Sequence, residues 1–281
     1  MADLKPMEFG EILDGALTIF RRHFLVFVKI GVVALWLPVS LTIYLQLAGG
    51  SEQHVVLTFM VGVIRYFAGL FLTASAIRVI SDSYLGQSPR LGDALSLGAS
   101  KIGSLWVVGL GKGLLLGLIA MGVGIVVAIT TPMLARGSGG SGAIIALVLA
   151  VVAGCWLVAF VACGYAVTTP IVVLENLKNA SDAFGRSWDL TRGFRLKIFG
   201  IFFVTALIVF VPSVALGALG GIMVLETKAG GQAFEVVSAA LPVILTPLFS
   251  CVLTLVYYDL RVRREAFDLQ VLSEQLGTGV R

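Results

Sequence analysis

At 281 residues the chain is long enough to bury a large soluble core, yet its mean hydropathy of +1.00 and its 13% charged residues exclude a soluble globular domain, in which about a quarter of residues are charged. The net charge of +4, from 20 Lys and Arg against 16 Asp and Glu, suits anchoring to anionic headgroups. Nothing in it points to nucleic acid.

Apolar runs of about 20 residues, the length that crosses a hydrocarbon core of ~30 Å, mark the membrane spans. Six occur, roughly Phe24 to Ala48, Val55 to Ile80, Ser104 to Leu134, Gly142 to Val167, Ile198 to Val224 and Val237 to Tyr258. Ahead of the first, "EILDGALTIFRRHF" predicts an amphipathic helix with Phe9, Ile12, Leu13, Ala16, Phe20 and Phe24 on one face and Glu8, Glu11, Thr18 and Arg22 on the other. The first apolar run is too long for a cleaved signal, and acidic residues precede it.

The second span carries Arg65, eleven residues in and so ~16 Å from its outer end, near the bilayer centre. A charge there costs about 2.5 to 3.5 kcal/mol, so a compensating group is expected: backbone carbonyls, the Tyr66 ring, water in a cavity, or an anion. Lys29 and Arg78, near span ends, are expected to snorkel.

Before the third span, "RLGDALSLGASKIG" repeats the amphipathic grammar. Within that span Lys112 either snorkels or faces the same cavity as Arg65, and Pro132 bends its end. Gly109, Gly113 and Gly117 fall on one stripe that invites close helix packing, as do Gly217 and Gly221 in the fifth span. "RGSGGSG", Arg136 to Gly142, reads as a short flexible loop.

The stretch "SDAFGRSWDLTRGFRLKIF" is the third amphipathic helix. Ala180, Ala183, Phe184, Ser187, Trp188 and Thr191 share one face, and Asp182, Arg186, Asp189 and Arg192 share the other. Ser181 is the expected N-cap, Asp182 and Arg186 an i,i+4 ion pair, and Gly193 the turn into the fifth span. After the sixth span "LVYYDLRVRREAFDL" predicts a solvated or surface-bound helix laced by the pairs Asp259 with Arg263, Arg261 with Glu265, and Arg264 with Asp268. Phe20, Trp106, Phe184, Trp188, Tyr257 and Tyr258 are the expected interfacial anchors.

The fold class is therefore all-α and polytopic: one membrane domain over 1–281 with six transmembrane helices. They read as three repeats of cytoplasmic interfacial helix plus transmembrane hairpin, about 8–80, 90–168 and 179–258, followed by a C-terminal cytoplasmic helix at 259–276. Of the 20 basic residues, 14 cluster in the N-terminal segment, the two loops that share its side and the C-terminal tail, against Arg136 and Lys228 in the alternate loops. Both termini are thus expected in the cytoplasm.

Three motifs in order, "EFGEILDGALTIFRRHF", "TTPIVVLENLKNASDAFGRSWDLTRG" and "LVYYDLRVRREAFDL", resemble the membrane domain attached to some bacterial glycerophosphodiester phosphodiesterases. The resemblance covers nearly the whole chain and implies a six-span helical protein of the bacterial cytoplasmic membrane. It does not imply phosphodiesterase activity, since the family's catalysis belongs to a separate soluble barrel.

The residues themselves offer little catalytic chemistry. His23 and His54 are the only histidines and are expected on opposite sides of the bilayer, no apolar run contains Asp or Glu, and no GxSxG or HExxH occurs. "GLGKG", Gly109 to Gly113, lacks the phosphate-loop spacing. Cys155, Cys163 and Cys251 read as small apolar side chains. No catalytic residue, cofactor or metal site is expected, and the candidate anion or lipid site is Arg65 with Lys112.

Two functions follow. One is a membrane scaffold or accessory protein whose interfacial helices engage anionic lipid and protein partners at the inner leaflet, preferred here because no ion-coupling residue is visible. The other is a transporter or lipid-handling protein that binds an anionic headgroup or solute near Arg65.

Overall fold

A computed structural model describes residues 5–47, 54–135, 140–226 and 241–266, with Phe234 and Ser238. Arg136, Lys228, Asp268 and the segment from 267 to 276 lie outside the described residues. The described residues are helical throughout, with no strand among them: α1 Phe9–Arg22, α2 Phe24–Leu47, α3 Val55–Tyr84, α4 Leu91–Ala135, α5 Gly140–Gly164, α6 Thr168–Leu174, α7 Asp182–Thr191, α8 Arg195–Glu226 and α9 Pro242–Glu265. Six of these segments are long and apolar enough to cross a membrane. The protein is a multi-pass helical membrane protein.

The apolar core is concentrated at one end of the bundle. Leu72 to Asp82 of α3, Thr168 to Val173 of α6 and Ser250 to Val262 of α9 supply most of its buried side chains. Toward the opposite end, Leu114, Met121, Ile125 and Ile129 of α4 and Trp156 of α5 are exposed. Such side chains are stable outward because lipid tails are as apolar as a protein interior. The buried end is also the basic end, where the chain's first and last described helices meet.

α9 is the hub. Gly15 of α1 comes close to Leu255, Gly31 of α2 has no room for a side chain beside Val243, and Tyr258 stacks on Tyr84 at 4.8 Å between centroids. The Tyr258 hydroxyl shares a 2.7 Å hydrogen bond with Ser81. Tyr257 is fully buried, and its hydroxyl donates to Glu175 Oε1 at 2.8 Å. Both tyrosines are therefore interior groups and not interfacial anchors. Each phenol found a polar partner inside the protein, which removes its reason to seek the headgroups.

Toward the end of α9, Asp259 and Leu260 are each only 1% exposed, whereas Arg263 and Arg264 in the last turn are exposed. The expectation of a solvated helix fails at Asp259 and Leu260 because α1, α7 and α8 pack around them. The pairs Asp259 with Arg263 (2.9 Å) and Arg261 with Glu265 (3.1 Å) are present as spaced. Arg264 donates to the Arg192 carbonyl, and its expected partner Asp268 lies outside the described residues.

α1 and α7 are separate short helices, but the second amphipathic segment is not. It is continuous with the third span in one 45-residue helix, α4, about 67 Å long. Nothing between Ile102 and Leu105 breaks it: the glycine there lacks the positive φ that ends α7 at Gly193 (φ 86°).

Between α1 and α2 the chain turns at His23, whose Nε2 hydrogen-bonds with Ser83 Oγ at 2.8 Å. Burial, and secondarily the Arg22 charge, hold the imidazole pKa below its ordinary 6.5. The unfolded chain takes this proton more readily than the folded one. Stability is therefore full above 6.5 and declines as pH falls through that value. Thermal unfolding in detergent between about pH 7.5 and about pH 5.5 should show this slope, and His23→Gln should flatten it; an identical slope in the variant would assign it elsewhere.

Candidate functional site

The polar groups of the basic end form two closed networks. Asp259 is the centre of the first: Oδ1 accepts the Met7 amide at 2.8 Å and Arg263 Nε at 2.9 Å, and Oδ2 accepts Lys197 Nζ at 2.7 Å. Lys197 and Arg263 also donate to the Met7 carbonyl, at 2.7 and 2.8 Å. Residues 7, 197, 259 and 263 are thereby fastened into one knot.

Arg186 is the centre of the second. Its guanidinium is bidentate to Glu175 (2.7 and 3.2 Å) and to Glu265 (2.5 and 3.0 Å). Hydrogen bonds to Glu175, then to Glu265, push its pKa further above the ordinary arginine value, so it stays charged. The expected Asp182 to Arg186 pair does not form. Two carboxylates from other elements reach the guanidinium fork with planar geometry that one helix turn cannot match, and Asp182 Oδ2 instead accepts the Asn179 amide at 3.2 Å. Ser181 has helical φ and ψ and no side-chain cap bond.

Beside these networks α7 closes the end of α5. Ser187 and Thr191 both donate to the carbonyl of Gly164, at 2.9 and 3.1 Å, satisfying an acceptor that the helix end leaves open. The Trp188 ring lies so close to Gly164 that a Cβ there would sit 2.6 Å from it. Trp188 and Phe184 thus pack into the protein: Tyr165 meets both rings at 5.3 Å between centroids, and Phe184 reaches Gly111 of α4. Phe20 stacks on Phe27 at 5.9 Å, and Trp106 is exposed.

The candidate cations are not in one place. Lys112 lines a cavity of about 280 Å³ with Leu115, Leu116, Tyr165, Thr169, Phe202 and other apolar side chains of α5, α6 and α9. Among the described residues its ammonium has no hydrogen bond and no ion pair, and no carboxylate lines the cavity. Arg65 does not line this cavity, so the shared site expected from the sequence is not formed. Arg65 Nη2 is buried with no hydrogen-bond partner among the described residues. Tyr66 is directed at Gly109, whose Cβ would lie 2.6 Å from the Tyr66 hydroxyl. Arg78 is paired with Asp82 at 3.2 Å instead of snorkelling free.

The glycine stripes also divide. Gly109 is a true close approach, whereas side chains added at Gly113, Gly117, Gly217 and Gly221 would meet nothing among the described residues. These four pack against no helix among the described residues. The contacts of α4 fall on other faces, Gly98 against Ser75, Gly111 against Phe184, and Val123 against Gly154 of α5.

The cysteines are free, and no cluster of metal-ligating side chains occurs among the described residues. The arrangement can hold an anion by charge and an acyl chain by apolar contact. The two polar networks were missed in the sequence because their members are up to 256 residues apart. The local signals were the i,i+4 pairs Asp259 with Arg263 and Arg261 with Glu265, and Glu175, an acid just after the apolar run of α6. Compared with known proteins, the chain matches no family model, no curated protein and no solved structure.

Proposed function

We propose that the protein is a lipid-handling membrane protein that takes an anionic headgroup or solute into the cavity beside Lys112. The carrying observation is that ammonium: it faces a chamber of about 280 Å³ walled by apolar side chains and has no counter-charge among the described residues. A lone cation in such a setting is costly, and a bound anion removes the cost. Depth supports the reading. From Lys112 to the end of α4 at Ala135 is about 35 Å, more than a hydrocarbon core of ~30 Å, so the ammonium sits at the level of one headgroup layer.

This reading is preferred over a scaffold because the short helices spend their apolar faces internally. Ile12 and Ala16 of α1, and Ala183, Ser187 and Leu190 of α7, are buried in the chain's own bundle. The cytoplasmic placement of the basic end, the three-repeat origin of the hairpins, the bacterial inner membrane and the relation to the phosphodiesterase membrane domain are part of the same proposal. Two features support them: α1 and α7 dock at one end, and the basic residues collect there.

The test is native mass spectrometry of protein purified with its lipids. Lys112→Met should retain the fold, with a thermal midpoint equal to or above that of the parent, because an unpaired buried charge is removed. One bound anionic lipid per chain should be lost, the occupancy of the Lys112 site falling by about tenfold as one charge-assisted contact is removed. Unchanged lipid content would refute the site. Arg65→Gln, in contrast, is expected to leave the lipid bound at Lys112 in place.

A further inference from the structure

On the other side of the Trp188 and Tyr165 rings lies an open groove of about 580 Å³ lined by Phe160, Trp188, Arg192, Gly193, Arg195 and Leu196. Its distinguishing group is Arg195, in the first turn of α8. The guanidinium carbon stands 3.8 Å from the centroid of the Trp188 ring and 4.1 Å from that of Phe160. The two rings stand at 81° to each other and form a corner that holds the guanidinium by cation–π contact.

Contact with ring faces supplies a guanidinium with no hydrogen-bond acceptor of the strength its N–H groups require. Arg195 Nε is buried without a hydrogen-bond partner, and among the described residues Arg195 makes no ion pair. This sets it apart from its neighbours. Arg186 and Arg261 are neutralised by Glu175 and Glu265, and Arg263 and Lys197 by Asp259. Arg192, exposed on the groove wall, has no carboxylate partner among the described residues either, and Arg264 approaches the same turn through the Arg192 carbonyl. Asp189, one turn earlier on α7, is exposed and forms no ion pair among the described residues.

The groove thus combines uncompensated positive charge, a pre-oriented guanidinium edge and an apolar lip, since Leu196 beside it is 85% exposed. An immobilised arginine edge with a second arginine in reach is matched by the oxygens of a phosphate, which accept several N–H groups at once. The exposed lip is matched by the acyl or alkyl portion of the same molecule.

We propose that the Arg192 and Arg195 groove is a phosphate-binding site that takes a phosphate ester, the headgroup of an anionic phospholipid or a soluble phosphate. Arg195 donates N–H groups to the phosphate from the corner between Trp188 and Phe160, and Arg192 donates to the outer oxygens. The site is separate from the Lys112 chamber, and neither depends on the other being occupied.

The experiment uses the full chain in nanodiscs of phosphatidylcholine with and without phosphatidylglycerol, with bound lipid counted by native mass spectrometry. The parent should retain phosphatidylglycerol over phosphatidylcholine. Arg192→Glu, at an exposed position away from the buried core, should remove one phosphatidylglycerol per chain, the occupancy of this site falling by about tenfold while the lipid at Lys112 stays bound. Arg195→Gln should do the same, and Arg195→Lys should not restore it, because an ammonium has no planar edge. Lys112→Met should leave the effect of Arg192→Glu unchanged. Displacement of phosphatidylglycerol by inorganic phosphate would assign the site to soluble phosphates; retention against phosphate would assign it to the lipid. Parent-like phosphatidylglycerol retention in Arg192→Glu would overturn the proposal, whatever the fate of the Arg195 variants.

Discussion

Asp259→Asn should destabilise the protein by about 3 kcal/mol, the cost of removing one member of a buried ion pair and leaving the other charges uncompensated. The carboxylate side chain is 2% exposed, while Lys197 and Arg263 are 22% and 28% exposed, so the partners regain some water and the figure stays at the low end of that class. The substitution keeps the volume and replaces an acceptor with a group that carries its own N–H donors. Three donors then converge on a side chain that accepts through one oxygen. The Met7 amide is the partner with no alternative, so the effect should appear first in α1. The measurements are thermal unfolding in detergent and hydrogen exchange, with protection across residues 9–22 expected to fall more than across α3. Equal loss in both helices would mean that Asp259 holds the whole core and not α1 in particular.

Arg186→Gln should cost about 2 kcal/mol, after allowance for the one-third exposure of the guanidinium. The reason is the pair it leaves behind: Glu175 and Glu265 approach the same atoms from two sides, and without the cation they repel. Like charges held together raise each other's proton affinity, so in the variant the folded state binds protons more tightly than the unfolded chain does. Stability of the variant should therefore rise as pH falls from about 7 to about 5, narrowing its gap from the parent. A gap that is constant with pH would show that the loss comes from packing of the arginine stem and not from the stranded carboxylates. Arg186→Lys should recover little, because a single ammonium cannot bond four oxygens in a plane.

The spans were legible because lipid is their solvent: length and hydropathy alone mark a segment that satisfies its backbone internally and shows apolar side chains outward. The local ion pairs Asp259 to Arg263 and Arg261 to Glu265 were legible for a similar reason, since i,i+4 spacing brings such groups together whatever surrounds them. The Asp182 to Arg186 pair has the same spacing and fails. A local pair is worth a few tenths of a kcal/mol, and a bidentate carboxylate arriving from α6 or α9 outcompetes it. Tyr257 and Tyr258 were misread by the same blindness to distant partners, since an aromatic at a span end looks alike whether its hydroxyl reaches a headgroup or Glu175. Lys112 was recognised as a candidate but paired with Arg65; which face of a 45-residue helix turns inward is decided by neighbours, and sequence spacing along one helix carries no information about them.

The Met7 amide and its acceptor Asp259 are separated by 252 positions. A ribosome adding roughly 5–20 residues per second needs about 13 to 50 s to traverse that interval, so the first helix is made long before its anchor exists. Over the last 62 of those positions Lys197 also lacks its carboxylate. Docking of α1 is therefore a closing event, coupled to emergence of the last span, and a chain halted before Asp259 presents a loose amphipathic helix and an unpaired lysine at the same end. The order of synthesis is written into the fold as a single buried carboxylate.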